Sequence, residues 1–527
     1  MQGEDEEASL LYVSADDHDP AANFERLTAG FQAEITSAPP NKYVIIPHDS
    51  KGYRALDQCL DELGTGMFQR RLLVLSAFGH FVEAAEYSML GLLLPLLAEE
   101  FSPKSDTDLA VVASLTGVGM IVGTLVFAQV SNLYGRRTAY QISLSLLVFF
   151  GFASSFSTSL IGFAVARGAL GFGYGGNLVS ATTLLTEFTP SSSRSFYLNV
   201  CGVAYAVGAL FVVGLAWGVV PQRGVGWRWL LRIVALCALP TLFLLPLVPE
   251  SPRFFIMRRR PKEALEVVKK IAKVNGKPLP CIASEEAFTL HSEPLSIHSQ
   301  LVRLGESWKT TVPLAFIWFT HSIAHGIMGF IPLQISKRDA AKQDAKYEIS
   351  MVFSVGCLIG TIILVFTSFR FSRLSQLRFG LLSTAILTGC IGLETSSGIY
   401  VYIIGFFLSI TMMFPFSMLY LYTGEVHQTE TRAIAFSICQ FGHRLAPVFS
   451  PFLVAALNDL GSFMVTGIVF ACFFLLSFFI SLALKVETFG RQLVEADDLD
   501  QPQGKGKVVD SGGLPTEEHA LLVLKKG

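Results

Sequence analysis

The feature that most constrains this chain is a series of twelve mainly apolar runs, each close to the roughly 20 residues that an α-helix needs to cross the hydrocarbon core of a bilayer. They fall near 72–98, 108–131, 138–157, 159–186, 196–220, 228–248, 311–335, 349–369, 377–393, 398–424, 433–457 and 462–485. With no water at that depth to satisfy the backbone, such a run has to be helical. Composition agrees: 51% of the 527 residues are hydrophobic and 16% are charged, against about 25% charged in soluble domains. A soluble fold has no interior large enough for that much apolar surface. The expected fold is an all-α polytopic membrane protein with 12 transmembrane helices in two six-helix halves.

One long polar insert divides the twelve, so the expected organisation is a tail at 1–71, a six-helix half at 72–248, a central loop at 249–310, a second half at 311–486 and a tail at 487–527. The tails are polar and punctuated by Gly and Pro, which predicts mobile segments. An even number of spans puts both tails and the central loop on one side. Arg253, Arg258, Arg259, Arg260 and Lys262 beside a span end mark that side as cytoplasmic; the short loops alone are balanced. The N-terminus opens on Glu4, Asp5, Glu6 and Glu7 and lacks the layout of a cleavable signal peptide. With 40 basic and 42 acidic residues, no excess charge points to a nucleic-acid partner. The eight cysteines are scattered without metal-ligand spacing, which predicts buried thiols.

The halves carry a repeat. Glu187 and Arg194, with six residues between them in Glu-Phe-Thr-Pro-Ser-Ser-Ser-Arg after the fourth span, recur as Glu425 and Arg432 after the tenth, at an offset of 238 residues. The same offset carries Arg136 and Arg137 to the neighbourhood of Arg373. A duplicated six-helix unit accounts for matches in corresponding loops.

Several segments resemble signature elements of the major facilitator superfamily. They are Ser131-Asn-Leu-Tyr-Gly-Arg-Arg137 between spans 2 and 3, Ala166-Arg-Gly-Ala-Leu-Gly-Phe-Gly-Tyr-Gly-Gly176 in span 4, and Gly226-Trp-Arg-Trp229 with Pro249-Glu-Ser-Pro-Arg253 around span 6, the last two resembling the sugar and organic-ion porter branch. Within it, Glu83-Ala-Ala-Glu86 and His443-Arg-Leu-Ala-Pro-Val-Phe-Ser-Pro451 are most similar to the synaptic vesicle 2-related group. The resemblance implies secondary transport by alternating access, with the energy coming from a proton or sodium gradient and no bound cofactor. The chain departs from the superfamily pattern at Ala128, Asn132 and Leu133, where Gly, Asp and a basic residue are usual. Losing that acid loosens the cytoplasmic latch or shifts it to Glu187 and Arg194.

Ionisable groups inside spans are costly and point to function. Glu83 and Glu86 lie i,i+3 on one face of span 1. Like charges that close favour a proton on one of them. In proton-coupled porters of the branch an acid near Glu86 works against the span 4 arginine, here Arg167. Glu86 is therefore the expected proton site and Arg167 its counter-ion, with a permanent structural pair as the alternative. Arg444, deep in span 11, matches the anion-pairing arginine of organic anion carriers and suggests a small organic anion as solute; neutralising Glu83 or Glu86 is its alternative role.

His321 and His325 share a face of span 7, where the offset places the equivalents of Glu83 and Glu86. The pair has no evident third ligand, so plain cavity-lining and then solute or proton handling rank ahead of a metal site. Trp318, Phe319 and Phe330 either stack a planar solute or simply pack. Gly117, Gly119 and Gly123 in span 2, and Gly168, Gly171, Gly173, Gly175 and Gly176 in span 4, read as packing stripes rather than a nucleotide loop. Arg136, Arg137, Glu187, Arg194, Glu425 and Arg432 are expected cytoplasmic gate residues. Glu6 before Leu10-Leu11 and Glu517 before Leu521-Leu522 resemble dileucine signals for sorting adaptors, which raises an endosomal or vesicular membrane beside the plasma membrane.

Secondary active transport of a small organic solute is the favoured function. A non-transporting vesicle protein acting as receptor or binding scaffold is the rival, and an enzyme is not expected, since no nucleophile–base pair or phosphate loop stands out.

Overall fold

The computed structural model describes residues 51–103, 105–220, 226–289, 302, 304, 305, 307–326, 344–368, 370–392, 398–427, 432–459 and 463–488. Both dileucine motifs and Phe330 lie outside them, and so does the side chain of Arg432.

Each of the twelve apolar runs holds a helix among the described residues. Spans 1 to 6 are Met67–Phe101, Asp106–Tyr134, Arg136–Ser154, Leu160–Phe188, Arg194–Val219 and the run from Gly226 through Leu247. Spans 7 to 12 are Trp308–His325, Ala345–Thr367, Arg373–Gly392, Gly398–Val426, Arg432–Asp459 and Phe463–Ser481. Among the described residues, eight of these are long and apolar enough to qualify as membrane spans by length and hydropathy alone. Spans 3, 4, 7 and 11 fall short. They carry polar side chains such as Arg167, Asn177, His321, Gln440 and Arg444, which the structure buries inside the protein. Large apolar residues such as Ile161, Phe243 and Ile399 are instead exposed, as lipid-facing positions require.

Contacts divide the chain into two compact units: residues through Leu90 with Val122–Pro294, and Gly91–Ile121 with Leu295 onward. In the first, spans 3 and 4 pack closely because Gly173 presents no Cβ to the backbone of Ser143, which is the packing reading of the glycine stripe. In the second, the N-terminal part of span 2 rests on span 11, with Ser114 Oγ donating to the carbonyl of Val448 (2.8 Å) and Gly117 against the backbone of Pro447. Its apolar core runs through Trp318, Phe353, Met412, Tyr422, Phe470 and Phe474.

Two expectations are corrected. The N-terminal segment is not wholly a mobile tail: Lys51–Leu63 is a helix with Leu56, Cys59, Leu60 and Leu63 buried. It packs with Pro252–Met257 and Pro261–Asn275, two helices of the central loop, around Ile256, Val268, Ile271 and Phe288. Spacing explains why: the apolar residues recur at helical intervals, and a polar mean composition hides an amphipathic face. Nor are all the thiols buried, since Cys281 and Cys472 are exposed.

Candidate functional site

The first unit holds two buried polar pairs. Arg167 donates from Nη1 to Glu86 Oε2 (2.8 Å) and from Nη2 to the Glu86 carbonyl (3.3 Å). Both side chains are 1% exposed. One turn back, Asn177 Nδ2 donates to Glu83 Oε2 (2.6 Å). The acids that share a face in sequence thus have separate partners on span 4. Glu86 faces a cation and Glu83 a neutral amide. Desolvation makes an ion pair at this depth costly to form and costlier still to break by removing one partner. The sequence offers no local signal for Asn177, which sits 94 residues from Glu83.

The second unit gathers the polar residues of spans 7 and 11. The rings of His321 and His325 lie 6.3 Å apart between centroids; His321 meets Phe474 (5.8 Å) and His325 meets Phe416 (6.5 Å). Trp318 is fully buried. Its Nε1 donates to Thr423 Oγ1 (3.0 Å), and its ring stands edge-on to Tyr420 (4.8 Å) and against His443 (5.2 Å). Ser322 Oγ ties span 7 to the carbonyl of His443 (3.0 Å). Arg444, 4% exposed, donates from Nη1 toward Met120 Sδ (3.8 Å). Both ring nitrogens of His321, both amide atoms of Gln440 and Nδ1 of His443 have no hydrogen-bond partner among the described residues. Buried polar atoms in that state call for a ligand or water. Gln440 was not singled out from sequence; its spacing from Arg444, i,i+4 on span 11, was the available clue.

Two matching charge clusters lie in the loops. In the first unit, Arg136 Nε donates to Glu187 Oε1 (3.1 Å), while the backbone N–H groups of Arg136 and Arg137 donate to Glu250 Oε1 (2.8 and 3.1 Å). In the second, Arg373 pairs with Glu425 through two 3.2 Å bonds, and the N–H groups of Arg373 and Leu374 donate to Glu487 (2.9 and 3.2 Å). Arg137 turns to the carbonyls of Pro246 and Val248 (3.4 and 3.1 Å). Arg194 reaches Asp57 (3.0 Å) rather than Glu187. Glu487 and Asp57 were missed. The Glu250-to-Glu487 offset of 237 residues, the same as Arg136 to Arg373, was there to be read. Among the described residues no group of three or more His, Cys, Asp or Glu could hold a metal ion.

The sugar (and other) transporter family model matches residues 66–499. The synaptic vesicle 2-related protein of Xenopus laevis is 28% identical over 465 residues, covering 84% of this chain and 82% of the relative. The organic cation/carnitine transporter 7 of Arabidopsis thaliana is 32% identical over 256 residues, 48% of this chain and 50% of that one. Among solved structures, the xylose transporter XylE from E. coli in a partially occluded inward-open conformation superposes with a TM-score of 0.66 at 19% identity, covering 81% of this chain and 100% of XylE. With twelve spans, a duplicated six-helix unit and a family match over most of its length, the chain belongs to the sugar (and other) transporter family of the major facilitator superfamily: it is a multi-pass membrane transporter of small solutes, not an enzyme.

Proposed function

We propose that this chain carries a small organic anion by alternating access, coupled to protons at Glu86 with Arg167 as the switchable counter-ion. The observation that carries the proposal is the 2.8 Å Glu86–Arg167 pair, sealed from solvent inside span helices. A proton arriving at Glu86 cancels one partner of that pair and frees the other, which gives protonation a direct grip on conformation. One structural neighbour is described as a proton:xylose symporter, a precedent for the fold in proton-coupled work. For the solute, Arg444 supplies a guanidinium that can hold a carboxylate bidentately. His321, His325 and Gln440 supply neutral hydrogen-bonding groups, and Trp318 an aromatic wall. The Arg136–Glu187 and Arg373–Glu425 pairs, with Arg137, Arg194 and Arg432 nearby in sequence, serve as gates on a cytoplasmic face that also carries both tails. Leu10-Leu11 and Leu521-Leu522 suit sorting adaptors and an endosomal or vesicular membrane.

The test is uptake into proteoliposomes from a mixed panel of carboxylates, amines and sugars, read by mass spectrometry with and without an inward proton gradient. Anion uptake should rise with the gradient, lose its pH dependence in Glu86→Gln and fall at least tenfold in Arg444→Ala. Gradient-independent uptake with an unchanged pH profile in Glu86→Gln refutes the coupling. Intact anion uptake in Arg444→Ala refutes the solute class.

A further inference from the structure

The helix Lys51–Leu63 precedes the first span, yet it is built into the first unit by charge as well as by apolar contact. Asp57 Oδ1 accepts from Arg194 Nη2 (3.0 Å) and from Arg253 Nη2. One carboxylate therefore joins the start of span 5 to the chain leaving span 6. One turn on, Asp61 accepts from the backbone N–H of Ser191 (2.7 Å) and from its hydroxyl (2.8 Å). Arg194 also donates from Nε to the carbonyls of Thr186 and Thr189 (3.2 and 3.3 Å), the last turn of span 4. That turn carries Glu187, the partner of Arg136. One turn before Asp57 on the same face of the helix, Tyr53 lies within electrostatic reach of Arg136, Arg253 and Glu187, and burial pushes its hydroxyl above the usual tyrosine range. The helix thus bonds Arg194 and Arg253 and lies within electrostatic reach of Arg136 and Glu187.

Without Asp57, Arg194 and Arg253 would face each other as like charges. Arg194, which holds the turn that carries Glu187 through two carbonyls, would lose its carboxylate anchor. Release of the helix would lay its own Leu56, Cys59, Leu60 and Leu63 open to water, which disfavours partial release.

We propose that the helix Lys51–Leu63 is a releasable clamp on the transport cycle, with Asp57 as the positioning residue that holds Arg194 and Arg253 and, through the end of span 4, keeps Glu187 on Arg136. The clamp acts on the gate pair whatever solute is carried, and it goes beyond the assignment of an anion or a proton.

Cys59 reports the docked state. It is fully buried on the inner face of the helix, with its thiol pushed up to about 11 by burial, so a thiolate-selective reagent reaches it only on release. The experiment uses the full-length chain with the other seven cysteines replaced by Ser or Ala, in liposomes, and measures maleimide labelling of Cys59 beside solute uptake. Asp57→Ala should label at least tenfold faster, and its maximal uptake rate should fall about tenfold with KM within twofold. Asp57→Glu should label at the parent rate and recover most of the uptake. The clamp is overturned if Asp57→Ala labels no faster, if it labels faster but transports at the parent rate, or if KM alone rises. The labelling arm needs no solute. If no panel member is transported, the proposed function fails while the labelling of Asp57→Ala against Asp57→Glu still decides the docking of the clamp.

Discussion

The duplicated caps at Glu250 and Glu487 give a quantitative prediction. Span 3 begins at Arg136 after Gly135, whose φ of 105° and close approach to the Glu250 carboxylate leave no room for a Cβ. Helix starts carry orphan N–H groups and a positive dipole end. Here Glu250 Oε1 accepts from the N–H groups of Arg136, Arg137 and its neighbour Ser251 (2.8, 3.1 and 2.9 Å). A net hydrogen bond to a charged group contributes about 1.5–3 kcal/mol; at the low end for a partly buried site, three bonds give about 4.5 kcal/mol. Gln keeps an acceptor but not the charge, and neutral bonds are about half as strong, so Glu250→Gln should cost about 2 kcal/mol. Glu487 accepts from Arg373, Leu374 and Thr488 in the same way (2.9, 3.2 and 3.1 Å). Glu487→Ala and Glu487→Gln should therefore match their counterparts. Thermal unfolding of purified protein in detergent, followed by size-exclusion recovery after heating, measures the order. Ala should lower stability about twice as much as Gln at both sites, while Glu266→Ala, which removes an exposed pair with Lys269, should change nothing measurable. A silent Glu487→Ala beside a destabilising Glu250→Ala would refute the equivalence of the two caps.

Removing Arg167 alone should be worse than removing the pair: Arg167→Ala leaves Glu86 buried without its cation at a cost of about 3–5 kcal/mol, whereas Glu86→Gln with Arg167→Gln should recover most of the folded yield in size-exclusion profiles. Gly208→Ala should destabilise by about 1–3 kcal/mol, because its new methyl would meet the backbone carbonyl of Phe81, a group that cannot swing away; Gly202→Ala, which meets nothing within 4 Å, is the control in the same thermal assay.

Length and apolarity made all twelve spans legible, including the four whose polar residues dilute their hydropathy. Span 4 was readable because Leu160–Phe188 is long and glycine-rich even though Arg167 and Asn177 interrupt it. The Glu86–Arg167 pair was legible only through the family resemblance, since 81 residues separate the two. The Asn177–Glu83 and Asp57–Arg194 pairs were not legible. Their partners come together through tertiary packing, at separations of 94 and 137 residues, and neither Asn177 nor Asp57 belongs to a local pattern. The helix Lys51–Leu63 was hidden for a different reason. A charged surface face lowers its mean hydropathy, and only a helical periodicity test reveals the buried stripe of Leu56, Cys59, Leu60 and Leu63.

The duplication also separates what builds the fold from what does its work. Arg136, Glu187 and Glu250 have counterparts at Arg373, Glu425 and Glu487, with the same pairing in each unit, through one arginine–glutamate bond in the first and two in the second. Inside the membrane the halves diverge. At the offset of 238 residues, Glu83 and Glu86 correspond to His321 and Ala324, and Arg167 and Asn177 to Gly405 and Pro415. All four polar positions differ together. Desolvation gives the reason: an acid at this depth without its arginine or amide would cost several kcal/mol, as would the arginine without its acid. The four can be present or absent only as a set. The second unit, relieved of that set, instead buries His321, Gln440 and His443 with ring or amide atoms that have no hydrogen-bond partner among the described residues. The first unit therefore carries the buried charge pair and the second a set of uncharged polar groups beside Arg444, while both keep the same cap and the same arginine–glutamate pair.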